Sequence, residues 1–127
     1  MKEHSINQNN VILIAEDDEF NLLYLNTILY EKNYKIISAV NGKEAVELCR
    51  AHSEISLVLM DIKMPIMDGI EATREIKSFR QSLPIIAVSA YCLDDDQKGL
   101  IEAGFDDFVF KPVSKNILME KVSEYHK

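Results

Sequence analysis

The chain has 127 residues, 47% of them hydrophobic and 28% charged, with a formal net charge of −7 at pH 7. That length suits one domain with room for a packed core, and the acidic balance argues against direct binding to nucleic acid or to an anionic membrane surface. No apolar run approaches a membrane span and no segment has the layout of a signal peptide; the isolated Cys49 and Cys92 imply neither a disulfide nor a metal site, which points to a reduced, cytoplasmic setting.

Residues 1–10 are polar and read as a disordered N-terminal leader. From residue 11 to 127, strand-like and helix-like patterns alternate without a linker. Val11–Ala15 is an apolar strand that ends on Glu16-Asp17-Asp18. A helix is expected over Glu19–Lys32, with Leu22, Leu25 and Leu29 at i, i+3, i+7. Lys35–Ala39 predicts a second strand, Asn41-Gly42 a turn, and Gly42–His52 a second helix. The third run, Leu57–Met60, stops abruptly on Asp61. Asp68-Gly69 then opens a helix over Gly69–Phe79, with Ala72, Ile76 and Phe79 at i, i+4, i+7. Ile85–Ser89 is the fourth strand, Asp95–Ala103 the fourth helix, and Gly104 its stop. Asp107–Phe110 is a fifth strand running into Lys111-Pro112, and Lys115–Tyr125 a fifth helix.

Five such units specify an α/β fold: a doubly wound parallel sheet with helices on both faces. Right-handed crossovers leave few topologies, of which the flavodoxin-like (βα)5 order 2-1-3-4-5 is the simplest. It sets strands one and three side by side at the switch point, where ligands bind.

The expected site follows from that edge. A buried strand that delivers an acid to its tip is costly unless the acid has a task. Glu16, Asp17 and Asp61 would cluster there, and like charges about 4 Å apart repel by about 4 kcal/mol at an effective dielectric near 20. A hard cation with oxygen ligands relieves that repulsion, and Mg2+ suits carboxylates, waters and a phosphate oxygen. The competing reading is that Glu16, Asp17 and Asp18 simply cap the first helix. Asp61 is a candidate nucleophile that would form an aspartyl phosphate; the alternative is a third metal ligand. Lys111 could reach phosphoryl oxygens, with Lys111–Pro112 a candidate cis peptide, and Ser89 could donate to the same oxygens. Asp94, Asp95 and Asp96 read as a helix cap, and His4, His52 and His126 as solvent-facing groups without ligand spacing.

Taken together, Glu16-Asp17, Met60-Asp61, Met64-Pro65, Met67-Asp68-Gly69, Ser89-Ala90 and Lys111-Pro112 make the chain resemble the receiver domain of two-component response regulators over about residues 10–126. The resemblance implies a phosphorelay protein whose Asp61 accepts a phosphoryl group from a phosphohistidine, supplied by a histidine kinase or a histidine phosphotransfer protein. It implies that Glu16 and Asp17 hold Mg2+, Asp17 more directly, with the Lys63 backbone carbonyl completing the site. Ser89 and Lys111 would read the phosphoryl oxygens, with Ser89 and Phe108 as switch residues. Ser89 replaces a common threonine, and Phe108 stands where many members have tyrosine. Lys63 and Tyr91 flank the site, where they could tune phosphate lifetime. The Glu16–Asn21, Glu71–Arg74 and Ala103–Asp107 stretches look most like receivers of hybrid sensor histidine kinases, a class whose parent proteins can be membrane-anchored. This chain holds no ATP site of its own. A free-standing response regulator and a phosphate-independent interaction module are the alternatives, and a monomer or weak dimer is expected. A flavodoxin would need a glycine- and hydroxyl-rich phosphate loop in place of Glu16-Asp17-Asp18, and a P-loop enzyme would need its glycines.

Overall fold

The computed structural model describes residues 10–90 and 94–125, apart from the side chains of Asp94, Asp95 and Asp96. The expected leader (save Asn10), the Asp94–Asp96 cap, Tyr91, Cys92, His4 and His126 lie outside the described part.

The elements alternate as the sequence pattern requires: β1 Val11–Ala15, α1 Glu19–Tyr30, β2 Lys35–Ala39, α2 Gly42–Ala51, β3 Ile55–Asp61, α3 Gly69–Phe79, β4 Ile85–Ser89, α4 Asp94–Ala103, β5 Asp107–Phe110 and α5 Lys115–Tyr125. The sheet is parallel throughout, in the order β2-β1-β3-β4-β5. Five boundaries differ from the sequence expectation, among them the start of α4, at Asp94 rather than Asp95. α1 stops at Tyr30, two residues before Lys32, because Lys32 and Asn33 donate to the Leu29 and Tyr30 carbonyls in tight turns and Asn33 takes a φ of 68°. That left-handed conformation is one asparagine tolerates. β3 starts two residues early, at Ile55, where a register shift between Val11 and Ile12 lets Ile55 pair with Val11. It also runs one residue further, to include Asp61. α2 ends at Ala51, with His52 as its cap.

The sheet separates two apolar layers. Val11, Leu13 and Ala15 of β1 face a core completed by α2, α3 and α4. Ile12 and Ile14 face a second core closed by Leu25, Ile28 and Leu29 of α1 and Leu118 and Val122 of α5. Burial on both faces explains why β1, β3 and β4 are nearly unbroken apolar runs. Among the described residues, four helices begin at the carboxyl edge of the sheet with side-chain caps: Asp18 accepts from the Phe20 N–H at 2.9 Å, Asn41 from Glu44 at 2.8 Å, Asp68 from Glu71 at 2.8 Å and Ser114 from Ile117 at 3.4 Å. Each such cap is worth about 1 kcal/mol and fixes where its preceding loop turns.

Candidate functional site

Because strands one and three are neighbours, their tips meet. Asp61 is the last residue of β3 and stands in register with Val88 of β4. Glu16 continues the line of β1, its N–H donating to the Ala39 carbonyl at 2.9 Å. The tripeptide after β1 then divides. Glu16 turns inward and is 1% exposed, Asp17 stays exposed beside it, and Asp18 turns away to cap α1. The capping reading therefore describes Asp18 and fails for Glu16. Carboxylate oxygens of Glu16, Asp17 and Asp61 lie within 4.8 Å of one another.

Lys111, at the end of β5, reaches back across this edge. Its Nζ is 3.2 Å from Glu16 Oε1 and 3.4 Å from Asp61 Oδ1. Glu16 Oε2 accepts from the Asp18 N–H at 3.2 Å, whereas buried Oε1 makes no hydrogen bond, so its approach to Lys111 is a charge contact without bond alignment. Burial, followed by the charge of Asp61, raises the Glu16 pKa above its ordinary value; the Asp18 N–H and Lys111 only partly oppose this. For Lys111, burial works against the ammonium, yet Asp61 and Glu16 outweigh it and its pKa rises. The Lys111–Pro112 peptide bond is cis.

Ser89 ends β4 and lines the same cleft, its hydroxyl donating to the Ala90 carbonyl at 2.9 Å. The Lys111 N–H donates to the Ser89 carbonyl at 2.6 Å, which ties the two residues together through the backbone. Phe108 sits apart from the cleft, half-buried against the α2–α3–α4 core, with its ring centroid 5.6 Å from that of Phe110. Lys63 lines the cleft next to Asp61 and is exposed.

Two glycines hold the loop after Asp61 in place. The Gly69 N–H donates to the Ile62 carbonyl at 2.8 Å, and a Cβ at Gly69 would overlap the Asp61 carbonyl oxygen. The Gly42 N–H donates to the Met67 carbonyl at 2.9 Å, and a Cβ there would likewise overlap that oxygen. The cleft has a volume of about 810 Å3. Its wall also includes Arg74 of α3 and Asn21 of α1, neither of which the sequence singled out as a site residue. Ile70 and Arg74 both line it, so the i, i+4 spacing on α3 was the available signal.

The donors suit a small divalent cation: three carboxylates, one of them with a buried oxygen that lacks a hydrogen bond, facing water on the Asp17 side. Hard oxygen ligands that leave room for water and an incoming phosphate fit Mg2+.

Comparison with known proteins gives one family. The model of the response regulator receiver domain matches residues 12–123. The chemotaxis protein CheY of Halobacterium salinarum is 39% identical over 113 residues, covering 89% of this chain and 93% of CheY. Hybrid signal transduction histidine kinase I of Dictyostelium discoideum is 34% identical over 120 residues, covering 88% of this chain but 7% of the kinase. The sensor protein GacS of Pseudomonas syringae is 32% identical, and this chain spans 13% of its length. Among solved structures, the receiver domain of sensor histidine kinase PA1611 from Pseudomonas aeruginosa, with a magnesium ion in its active-site cleft, matches with a TM-score of 0.84 and 29% identity over 91% of this chain and 96% of that one. The receiver domain of Saccharomyces cerevisiae Ssk1, solved with the histidine phosphotransfer protein Ypd1, matches with a TM-score of 0.85 and 28% identity over 91% of this chain and 87% of that one.

Proposed function

The chain belongs to the response regulator receiver family, and we propose that it serves as the phosphoacceptor of a two-component phosphorelay, with Asp61 as the residue that is phosphorylated. The observation that carries this is the placement of Asp61, 5% exposed at the tip of β3, between an acid pair and the Lys111 ammonium 3.4 Å away. A carboxylate oxygen of Asp61 attacks the phosphorus of a phosphohistidine. The oxygen–phosphorus bond forms as the phosphorus–nitrogen bond breaks, and the imidazole leaves with its electron pair.

Glu16, Asp17 and Asp61, with the Lys63 carbonyl, would hold Mg2+, which when bound supplies charge neutralisation between the acids and the incoming phosphoryl group. Lys111 balances the oxygens from the β5 side, and the Ser89 hydroxyl donates to one of them. Drawing Ser89 inward shifts its carbonyl, and with it the Lys111 backbone; Phe108 on β5 responds by repacking. The α4–β5–α5 surface thereby changes its affinity for partners, as a shift between two states.

The donor is a histidine kinase or a histidine phosphotransfer protein. Support comes from α1, where Phe20, Leu23, Tyr24 and Tyr30 are 84%, 63%, 45% and 74% exposed, an apolar stripe beginning beside the cleft. The hybrid-kinase relatives support an origin as the C-terminal receiver of a hybrid sensor kinase, whereas CheY, matched over 93% of its length, supports a free-standing regulator. No helix among the described residues is long and apolar enough to cross a membrane. The cytoplasmic location we propose rests instead on the two-component reading.

Intact-mass spectrometry after incubation with acetyl phosphate tests the reading. A single Mg2+-dependent phosphoryl adduct on the wild type, absent in Asp61→Asn, is expected. No adduct on either, together with no response to beryllofluoride, would leave the phosphate-independent interaction module as the better account.

A further inference from the structure

Building on the phosphoacceptor reading, we propose that Tyr24 of α1 is a positioning residue for Lys111, holding the loop from which the lysine reaches the phosphoryl site. The Tyr24 hydroxyl donates to the Val113 carbonyl at 2.7 Å, two residues beyond Lys111. On the other side, the Lys111 N–H is held by the Ser89 carbonyl at 2.6 Å. The segment carrying the lysine is thus moored at both ends, once to β4 and once to α1.

Such a mooring matters because of what lies behind the side chain. A second cavity of about 140 Å3 opens there, walled by Asn21, Tyr24, Leu25, Pro112 and Val113, with Glu16 and Lys111 on its boundary. Lysine has a flexible four-carbon stem, and packing on this side does not confine it. On this side the ammonium, 3.2 Å from Glu16 and 3.4 Å from Asp61, is therefore aimed by its backbone root and by charge. Phosphoryl contacts lose strength quickly with misplacement, so a loosened root weakens the one cation that meets the phosphoryl oxygens from β5. A phenylalanine at position 24 would keep the ring against the cavity and release only the loop.

The test uses beryllofluoride with Mg2+ as the phosphoryl probe, titrated by NMR into wild type, Tyr24→Phe, Lys111→Met and the double variant. Loss of one hydrogen bond predicts roughly three- to tenfold weaker beryllofluoride binding in Tyr24→Phe, with Mg2+ affinity unchanged. If Tyr24 acts through Lys111, the loss disappears in the Lys111→Met background. The Lys111 13Cε signal in Tyr24→Phe alone should also move, a readout that a purely structural role would leave in place. Equal loss in both backgrounds, unaltered binding in Tyr24→Phe, or an unmoved Lys111 signal overturns the proposal while leaving the phosphoacceptor reading intact. Wild-type protein that takes neither beryllofluoride nor a phosphoryl group overturns that reading, and this inference with it.

Discussion

Lys111 Nζ stands 3.2 Å from Glu16 Oε1, so the cation that would meet a phosphoryl group is already the counter-ion of a carboxylate that is 1% exposed. Removing it leaves Glu16 facing Asp61 across the cleft. Breaking a fully buried pair costs about 3–5 kcal/mol, but the Lys111 side chain is 25% exposed and Glu16 can take up a proton. Lys111→Met should therefore destabilise the metal-free protein by about 1–2 kcal/mol. It should also block the conversion of a bound phosphoryl group into a conformational response. Thermal melts with and without Mg2+ check the first effect, with the deficit shrinking when Mg2+ is present, and NMR spectra of the acetyl phosphate-treated protein check the second.

The raised Glu16 pKa predicts a pH dependence. The folded protein keeps a proton on Glu16 that the unfolded chain releases near 4.5, so the folded state binds more protons above that pH. Stability of the metal-free protein should fall as pH rises from 4.5 through the higher folded value, and Glu16→Gln should flatten that part of the profile. Lys111 acts at the other end: its stabilising charge is present below 10.5 and is lost as pH rises through its raised folded value. Melting temperatures of wild type and Glu16→Gln across this range, in a chelator, settle the signs.

Asp17→Asn removes one charge from three carboxylates whose oxygens lie within 4.8 Å. Mg2+ affinity should drop by roughly tenfold or more, and metal-free stability should rise slightly, because repulsion with Glu16 and Asp61 is relieved. Isothermal titration and melting measured on the same preparation separate the two effects. Unchanged values in both would sink the clustered-acid picture.

Gly69→Ala sets a methyl group into the Asp61 carbonyl. The clash is with backbone, so the strand tip or the start of α3 must shift, at a cost of about 1–3 kcal/mol. Phosphorylation by acetyl phosphate should slow even under conditions where the variant is fully folded. A rate equal to wild type would show that Asp61 does not depend on this close approach.

Cys49 is 1% exposed, and burial pushes its thiol pKa up to about 11. The thiolate is the reactive form, so alkylation of Cys49 at pH 8 should be negligible in the folded protein and rapid in guanidinium. Peptide mapping after brief iodoacetamide treatment reads this directly. Fast native labelling would mean that α2 opens readily.

The sheet was legible in the sequence because its strands are buried on both faces and bounded by acids, a lysine and turn residues. The clustering of Glu16, Asp61 and Lys111 was legible because each interrupts an apolar run, and one topology puts those interruptions together. What could not be read has a common character. The end of α1 depends on the left-handed Asn33, and the start of β3 on a register shift at Val11. The fates of Glu16 and Asp18, two residues apart, differ because one meets Lys111 and the other meets the Phe20 N–H. Asn21 reaches the cleft, and Tyr24 reaches Val113, through tertiary placement that no local pattern encodes.

The two cores on opposite faces of the sheet carry a consequence for assembly. α1, with its apolar stripe, closes one layer, while α4 and Phe108 belong to the other. A protein seated on α1 thus leaves the α4 side uncovered. On the phosphoacceptor reading, a partner on α1 and one on α4 would meet opposite faces of the sheet, while α5, which lies in the α1 layer, is the element the two would share.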